Sequence, residues 1–169
     1  TVGQLLQAAQ VQIARLDAEV LAAHTLGRTR AWLFAHADDH VAPSDAKRFA
    51  ELTARRAAGE PCALIRGSQD FWTLTLEVTG ATLIPRPDTE LLVELSLQLP
   101  GERLSVLDAG TGSGAIAAAI ASERPDWHVF ASDFSAPALR VAVRNCSDRI
   151  NLLQGNWLDA VGAASLDAV

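Results

Sequence analysis

Apolar positions recur at helical spacing through the first third of the chain and at strand spacing beyond it. Leu5, Leu6, Ala9, Ile13, Leu16 and Val20 recur near a period of about 3.6 residues, the stripe of an amphipathic helix. The segment "RLDAEVLAAHTLG" then closes on Gly27, a residue suited to the left-handed position past a helix end. A short helix follows through Trp32, Leu33 and Phe34. "APSDAKRFAELTARRAAGEP" predicts a longer one, with Ser44 as N-cap, an apolar stripe at Ala46, Phe49, Ala50 and Leu52, and a stop at Gly59. From Pro61 the texture changes. "DFWTLTLEVTGATLI" alternates through Trp72, Leu74, Leu76 and Val78, which predicts a β-hairpin with its turn at Thr79-Gly80. "PRPDTELLVELSLQL" predicts a helix started by Pro87 or Asp88. After it strands and helices alternate: "RLSVLD", "GAIAAAIASERP", "WHVFASD", "APALRVAVRN", "INLLQG". That alternation belongs to βαβ units and a parallel sheet covered by helices.

The fold class expected is therefore α/β: an N-terminal helical bundle joined to a Rossmann-like parallel sheet that is incomplete at its C-terminal side. The expected divisions are 1–67 for the helices, 68–87 for a hairpin connector and 88–169 for the sheet domain. With 169 residues and 49% apolar content, a packed protein with one good-sized core or two small ones is expected. No apolar run approaches the roughly 20 residues that span a bilayer. The first residues lack the basic and apolar regions of a signal peptide, so a cytoplasmic, non-membrane protein is expected. The chain has no Met, and an intact translation product is therefore not expected. Cys62 and Cys146 lie far apart in apolar contexts and are expected to be free thiols.

Charge divides unevenly. Residues 1–67 carry 8 Lys and Arg against 7 Asp and Glu, whereas 68–169 carry 6 against 13. An acidic sheet domain repels a phosphate backbone and weighs against a nucleic-acid substrate. Lys47, Arg48, Arg55 and Arg56 make a mildly basic helix face, read as solvated, with a partner contact as the alternative. His36 and His40 in "HADDH" stand at zinc-ligand spacing but in a turn with no further ligand nearby, so no metal is expected.

The chemistry concentrates in "VLDAGTGSGAIAAAI". Gly110, Gly112 and Ala115 fit the dinucleotide fingerprint, and Gly110, Gly112 and Gly114 equally fit the loop of a methyl-donor site. The loop lies between a strand and a helix, where open parallel sheets bind ligands. Asp108, two residues before Gly110, bears on the choice. A pyrophosphate at this helix N-terminus would be repelled by the carboxylate, whereas the sulfonium and ammonium of S-adenosylmethionine would be attracted. Asp133 ends the next strand and can accept both hydroxyls of a ribose, a group both cofactors share.

"DAGTGSGAIAAAIA", then Asp133, then "QGNWLDA" resembles class I S-adenosylmethionine-dependent methyltransferases. Upstream, "DFWTLTLEVTGATLIPRPDTELLVE" is similar to the signature of the protein-glutamine N5-methyltransferases of peptide chain release factors. "RLDAEVLAAHTLG" and "AAGEPCALIRGSQDFW" resemble that family's N-terminal helical domain. The resemblance implies N5-methylation of the glutamine in the release factors' Gly-Gly-Gln motif, with S-adenosylmethionine as cofactor. It implies Gly110, Thr111, Gly112, Ser113 and Gly114 under the donor's methionine end, Asp133 on the ribose and Trp157 beside the adenine. Asp108 and Arg86 are further candidates for the site; Arg86 is held between Pro85 and Pro87, which stiffen the backbone around it. The family has Asp where Asn156 stands, and its Asp133-to-Trp157 stretch is longer. Its Asn-Pro-Pro-Tyr motif, which presents the acceptor amide, has no counterpart in residues 1–169. Catalytic residues are therefore expected beyond Val169, and the polypeptide alone is expected to bind the cofactor with impaired affinity and to transfer no methyl group. Three rival readings stand beside this one: an amino-group methyltransferase of DNA or RNA bases, an NAD-dependent oxidoreductase, and a non-catalytic fragment that docks a partner.

Overall fold

The first helix, α1 (Val2–Gln10), starts where Thr1 and Gln4 cap each other's backbone N–H groups in a capping box. A computed structural model describes residues 1–159, 161–162 and 165–169 of the chain, which divide into two compact units, Thr1–Arg66 and Gly67–Val169.

In the first unit α1 is followed by α2 (Arg15–Leu26), α3 (Arg30–Ala35), α4 (Pro43–Ala57) and α5 (Cys62–Arg66). The helical stripe expected from Leu5 to Val20 is shared between α1 and α2, with a break at residues 11–14 that leaves Val11 exposed. Gly27 ends α2 in the left-handed region at φ 61°. The N-cap expected at Ser44 is instead Ala42, because Pro43 occupies the first helical position. A proline has no N–H to lose there and its ring already holds a helical φ, so the missing side-chain cap is tolerated. The core joins Val2, Leu6, Leu21, Ala22, Leu33, Phe49 and Leu52. "HADDH" is a turn, and His36 stacks on Trp32 at 4.2 Å between ring centroids. Arg55 and Arg56 of the basic face are paired within the unit, to Glu60 and Asp17.

Glu19 is the one acid buried in this core among the described residues, at 3% exposure. Arg15 Nε donates to it at 2.8 Å and Arg30 Nη2 at 2.6 Å, so it ties α2 to α3. Hydrogen bonds from the two guanidinium groups, Arg15 first, hold its carboxyl below the usual carboxylate value. Its stabilising contribution is therefore present above that ordinary value and fades as pH falls through the depressed one. Glu19→Gln is expected to lose about 1–2 kcal/mol at neutral pH, since both arginines can be resolvated. Acid titrations of unfolding should show the difference between the two proteins shrinking at low pH.

The second unit opens with β1 (Ser68–Phe71) and β2 (Leu74–Glu77), an antiparallel pair in which Phe71 faces Leu74. The hairpin turn is thus Trp72-Thr73, not Thr79-Gly80. Two-residue hairpin turns need positive φ at their first position, and Trp72 adopts φ 56°. The strain is offset by long-range bonds: Trp72 N–H donates to Glu90 at 2.9 Å and its indole N–H to Glu123 at 2.8 Å. A single 3₁₀ turn (Pro87–Thr89) leads into α6 (Glu90–Ser96), a start at Pro87 as its ring predicts.

Then come β3 (Ser105–Ala109), α7 (Ala115–Glu123), β4 (His128–Asp133), α8 (Ala136–Asn145) and β5 (Ile150–Gln154). The three strands form a parallel sheet in the order β3-β4-β5. Val106 also makes a parallel bridge to Ala168, so the chain's last residues lie on the other side of β3. Alanines line the buried face of α7 and let it lie close to the sheet, against Val106, Val129 and Ala131. Cys62 and Cys146 are free, and burial pushes each thiol up to about 11. Among the described residues no helix is long and apolar enough to cross a membrane.

Candidate functional site

The sheet reverses its strand order at β3: the chain continues to β4 on one side and returns to Ala168 on the other. At such a switch point the loops beyond the strand ends diverge and leave a crevice. Here the crevice is a cleft of about 330 Å³ at the carboxyl end of β3. Gly110, Thr111, Gly112 and Ser113 line it, and so does the segment Ala81–Arg86. Asp108 and Asp133 line the same cleft. In-register pairing brings the two acids together, since Asp108 is opposite Ala131 and Asp133 lies two residues further along β4.

The glycine loop is held to β4 by its backbone. Gly110 N–H and Thr111 N–H donate to the Ser132 carbonyl at 2.8 and 2.9 Å. Gly112 N–H donates to Asp133 Oδ2 at 2.9 Å, and Ser135 N–H donates to Asp133 Oδ1 at 2.8 Å. Each carboxylate oxygen of Asp133 keeps a lone pair for a hydroxyl donor in the cleft. Ser135 rather than Asp133 caps α8, accepting from Ala138 N–H.

Asp108 Oδ2 accepts from the Thr111 hydroxyl at 2.5 Å and from Ala117 N–H at 3.3 Å. Burial, with repulsion from Asp133 adding to it, pushes the Asp108 carboxyl above its ordinary value, and the two hydrogen bonds oppose that shift without cancelling it. An arriving cation would reverse the burden by favouring the ionised form.

Two observations suit a ligand. A Cβ placed on Gly110 or Gly112 would meet no atom within 4 Å, so the bare backbone leaves open space beside the loop. Thr82 Oγ1, in the 81–86 segment that lines the cleft, is buried without a hydrogen-bond partner among the described residues. Sequence reasoning missed Thr82, because nothing local separates it from any threonine after a hairpin. Arg86 also lines the cleft, in the extended conformation (φ −105°, ψ 147°) that the following proline imposes.

Two expected members stand apart. Gly114, at φ 82°, starts α7 and packs on α8, not on the cleft. Trp157, 71% exposed, lines a neighbouring hollow of about 470 Å³ with Leu92, Ile116 and Asp108. Asp108 borders both spaces. Among the described residues no group of three or more His, Cys, Asp and Glu is placed to hold a metal ion.

Residues 2–67 match the family model of the PrmC N-terminal domain, and residues 106–169 that of a methyltransferase domain. A release factor glutamine methyltransferase of Xylella fastidiosa is 46% identical over 98% of this chain and 62% of its own length. The protein of that name from Bordetella pertussis is 47% identical over 88% of this chain and 57% of its own. The one from Escherichia coli is 43% identical over 87% and 55%. The chain thus spans about three fifths of the length of the curated relatives it matches.

Proposed function

Because this chain belongs to the release factor glutamine methyltransferase family, we propose that it binds S-adenosylmethionine in the cleft beside β3 and serves N5-methylation of the release-factor glutamine. The observation that carries the reading is the pairing of an open glycine cradle with two carboxylates, Asp108 and Asp133. Two acids oppose a pyrophosphate and favour a ligand that carries positive charge and ribose hydroxyls.

Gly110, Thr111, Gly112 and Ser113 lie under the methionine end, with Asp108 facing its positive charge. Asp133, already fixed by Gly112 and Ser135, accepts from the ribose hydroxyls. Gly114 serves the loop from behind by letting α7 start against α8. Trp157 reaches the adenine only if the ligand extends towards the hollow it shares with Asp108. Arg86 and Thr82 bound the side from which an acceptor approaches. When bound, the donor supplies an electrophilic methyl group on a sulfonium. An amide nitrogen is a weak nucleophile, so alignment and acceptance of its N–H protons must come from the protein. None of the residues assigned above does that; they hold the donor. The helical unit is the surface offered to the release factor, a protein substrate rather than a nucleic acid, and the place of action is the cytoplasm, where translation ends.

Titration calorimetry with S-adenosylhomocysteine and with NAD tests the donor assignment. Saturable binding of the first and none of the second is expected. Binding of NAD alone, or of neither, overturns it. A methyl-transfer assay comparing a release factor with nucleic acid then tests the acceptor class in a longer relative.

A further inference from the structure

Asn145, the last residue of α8, is half-buried and uses its whole side-chain amide on backbone. Its Oδ1 accepts from Glu77 N–H at 2.7 Å. Its Nδ2 donates to the Glu77 carbonyl at 2.9 Å and to the Ser113 carbonyl at 2.8 Å. An asparagine amide has two N–H donors and one carbonyl, and here all of them are engaged. The two backbones it joins lead to two segments that line the cleft. Glu77 ends β2, whose chain runs on into Ala81–Arg86, and Ser113 belongs to the glycine loop. Its neighbours reinforce the junction: Arg144 pairs with the Glu77 carboxylate at 2.7 Å, and Cys146 Sγ occupies the place that a Gly114 Cβ would need.

We propose that Asn145 is a positioning residue for the donor cleft, its carboxamide setting the spacing between the glycine loop and the 81–86 wall. The proposal rests on the reading of that cleft as the donor site. Asn145 does not line the cleft and acts through Ser113 and Glu77. Only a neutral amide of this length supplies two donors and an acceptor at once. A carboxylate there would keep the acceptor for Glu77 N–H but turn its other oxygen towards two carbonyls.

Asn145→Ala and Asn145→Asp are each expected to weaken S-adenosylhomocysteine binding about tenfold, the equivalent of one hydrogen-bonded constraint. Calorimetry well below the melting midpoint reads this, so that lost stability alone does not register. Hydrogen exchange in the unliganded protein should accelerate at residues 112–115 in both variants. Arg144→Ala breaks the neighbouring ion pair but leaves the Ser113 bond, and should keep affinity within about twofold. If either Asn145 variant fails to fold, the other decides. Unchanged affinity and unchanged exchange at 112–115, with only a lower melting midpoint, overturns the proposal. If the parent protein itself does not bind S-adenosylhomocysteine, the donor-site reading fails. Loop exchange then decides only whether the Asn145 carboxamide holds the glycine loop in place: acceleration upholds that part of the proposal and its absence overturns the whole.

Discussion

Gly114→Ala is expected to destabilise the Gly67–Val169 unit by about 2–5 kcal/mol, none of it a matter of the cleft. Two costs add. At φ 82° a side chain sits in the left-handed region, at roughly 1–2 kcal/mol for a non-glycine residue. The new Cβ would also lie 2.6 Å from Cys146 Sγ and 3.3 Å from Ala142 Cβ. Both neighbours belong to α8 and its cap, so something packed must shift, at about 1–3 kcal/mol. Against a total stability of about 5–15 kcal/mol that is a large share. Thermal unfolding should show a midpoint lowered by roughly 4–8 °C per kcal/mol lost. Gly112→Ala separates the two costs. Its φ of 57° brings the strain, but a Cβ there meets nothing within 4 Å and intrudes on the open cradle. That variant should therefore lose more affinity for S-adenosylhomocysteine than stability, and Gly114→Ala the reverse. Adding Cys146→Ala to Gly114→Ala should return the packing share and leave the strain. Equal stability losses in the two glycine variants would refute the assignment of Gly114 to the α8 contact.

The same contrast marks what could be read before the structure was known. The parallel order of β3, β4 and β5 follows from strand-helix alternation, and with it the convergence of Asp108, the glycines and Asp133. Adjacent parallel strands end on the same side of a sheet, so residues at their ends meet whatever their separation in sequence. Gly114, by contrast, looks in sequence like its neighbours Gly110 and Gly112. What sets it apart is the approach of Cys146 and Ala142, from a helix more than twenty residues later. The hairpin turn was hidden for a like reason. A glycine at position 80 is the better local turn signal, but Trp72 is held at positive φ by Glu90 and Glu123 from two later helices. At Ala42 two local signals competed, and the fixed φ of Pro43 prevailed over the hydroxyl of Ser44. Asn145 carries no local mark, since its two partner residues lie 32 and 68 residues away. Local chemistry was legible; roles assigned by a neighbour distant in sequence were not.

Asp108→Asn is expected to move stability and affinity in opposite directions. Burial, aided by Asp133, raises this carboxyl in the folded state, so the folded protein binds its proton more tightly than the unfolded chain does. Between the two values stability falls as pH rises, and the full deficit is present above the folded one. Asparagine keeps an oxygen for the Thr111 hydroxyl and Ala117 N–H but carries no charge to desolvate. At neutral pH the variant should melt higher than the parent, and the two should converge in acid, below the ordinary carboxylate value. The ligand sees the opposite. If Asp108 faces the donor's positive charge, its loss removes a charge-assisted interaction of about 1.5–3 kcal/mol, or roughly 10–100-fold in affinity for S-adenosylmethionine. Parent affinity should likewise weaken as pH falls through the raised value, because protonation discharges the same group, while the variant's affinity stays level through that range. Melting curves and calorimetry across one pH series give both readouts. A variant that is less stable and binds as tightly would make Asp108 a structural acid serving Thr111. A variant more stable and weaker in binding would mean that the fold carries an unfavourable buried charge for the sake of a cationic ligand.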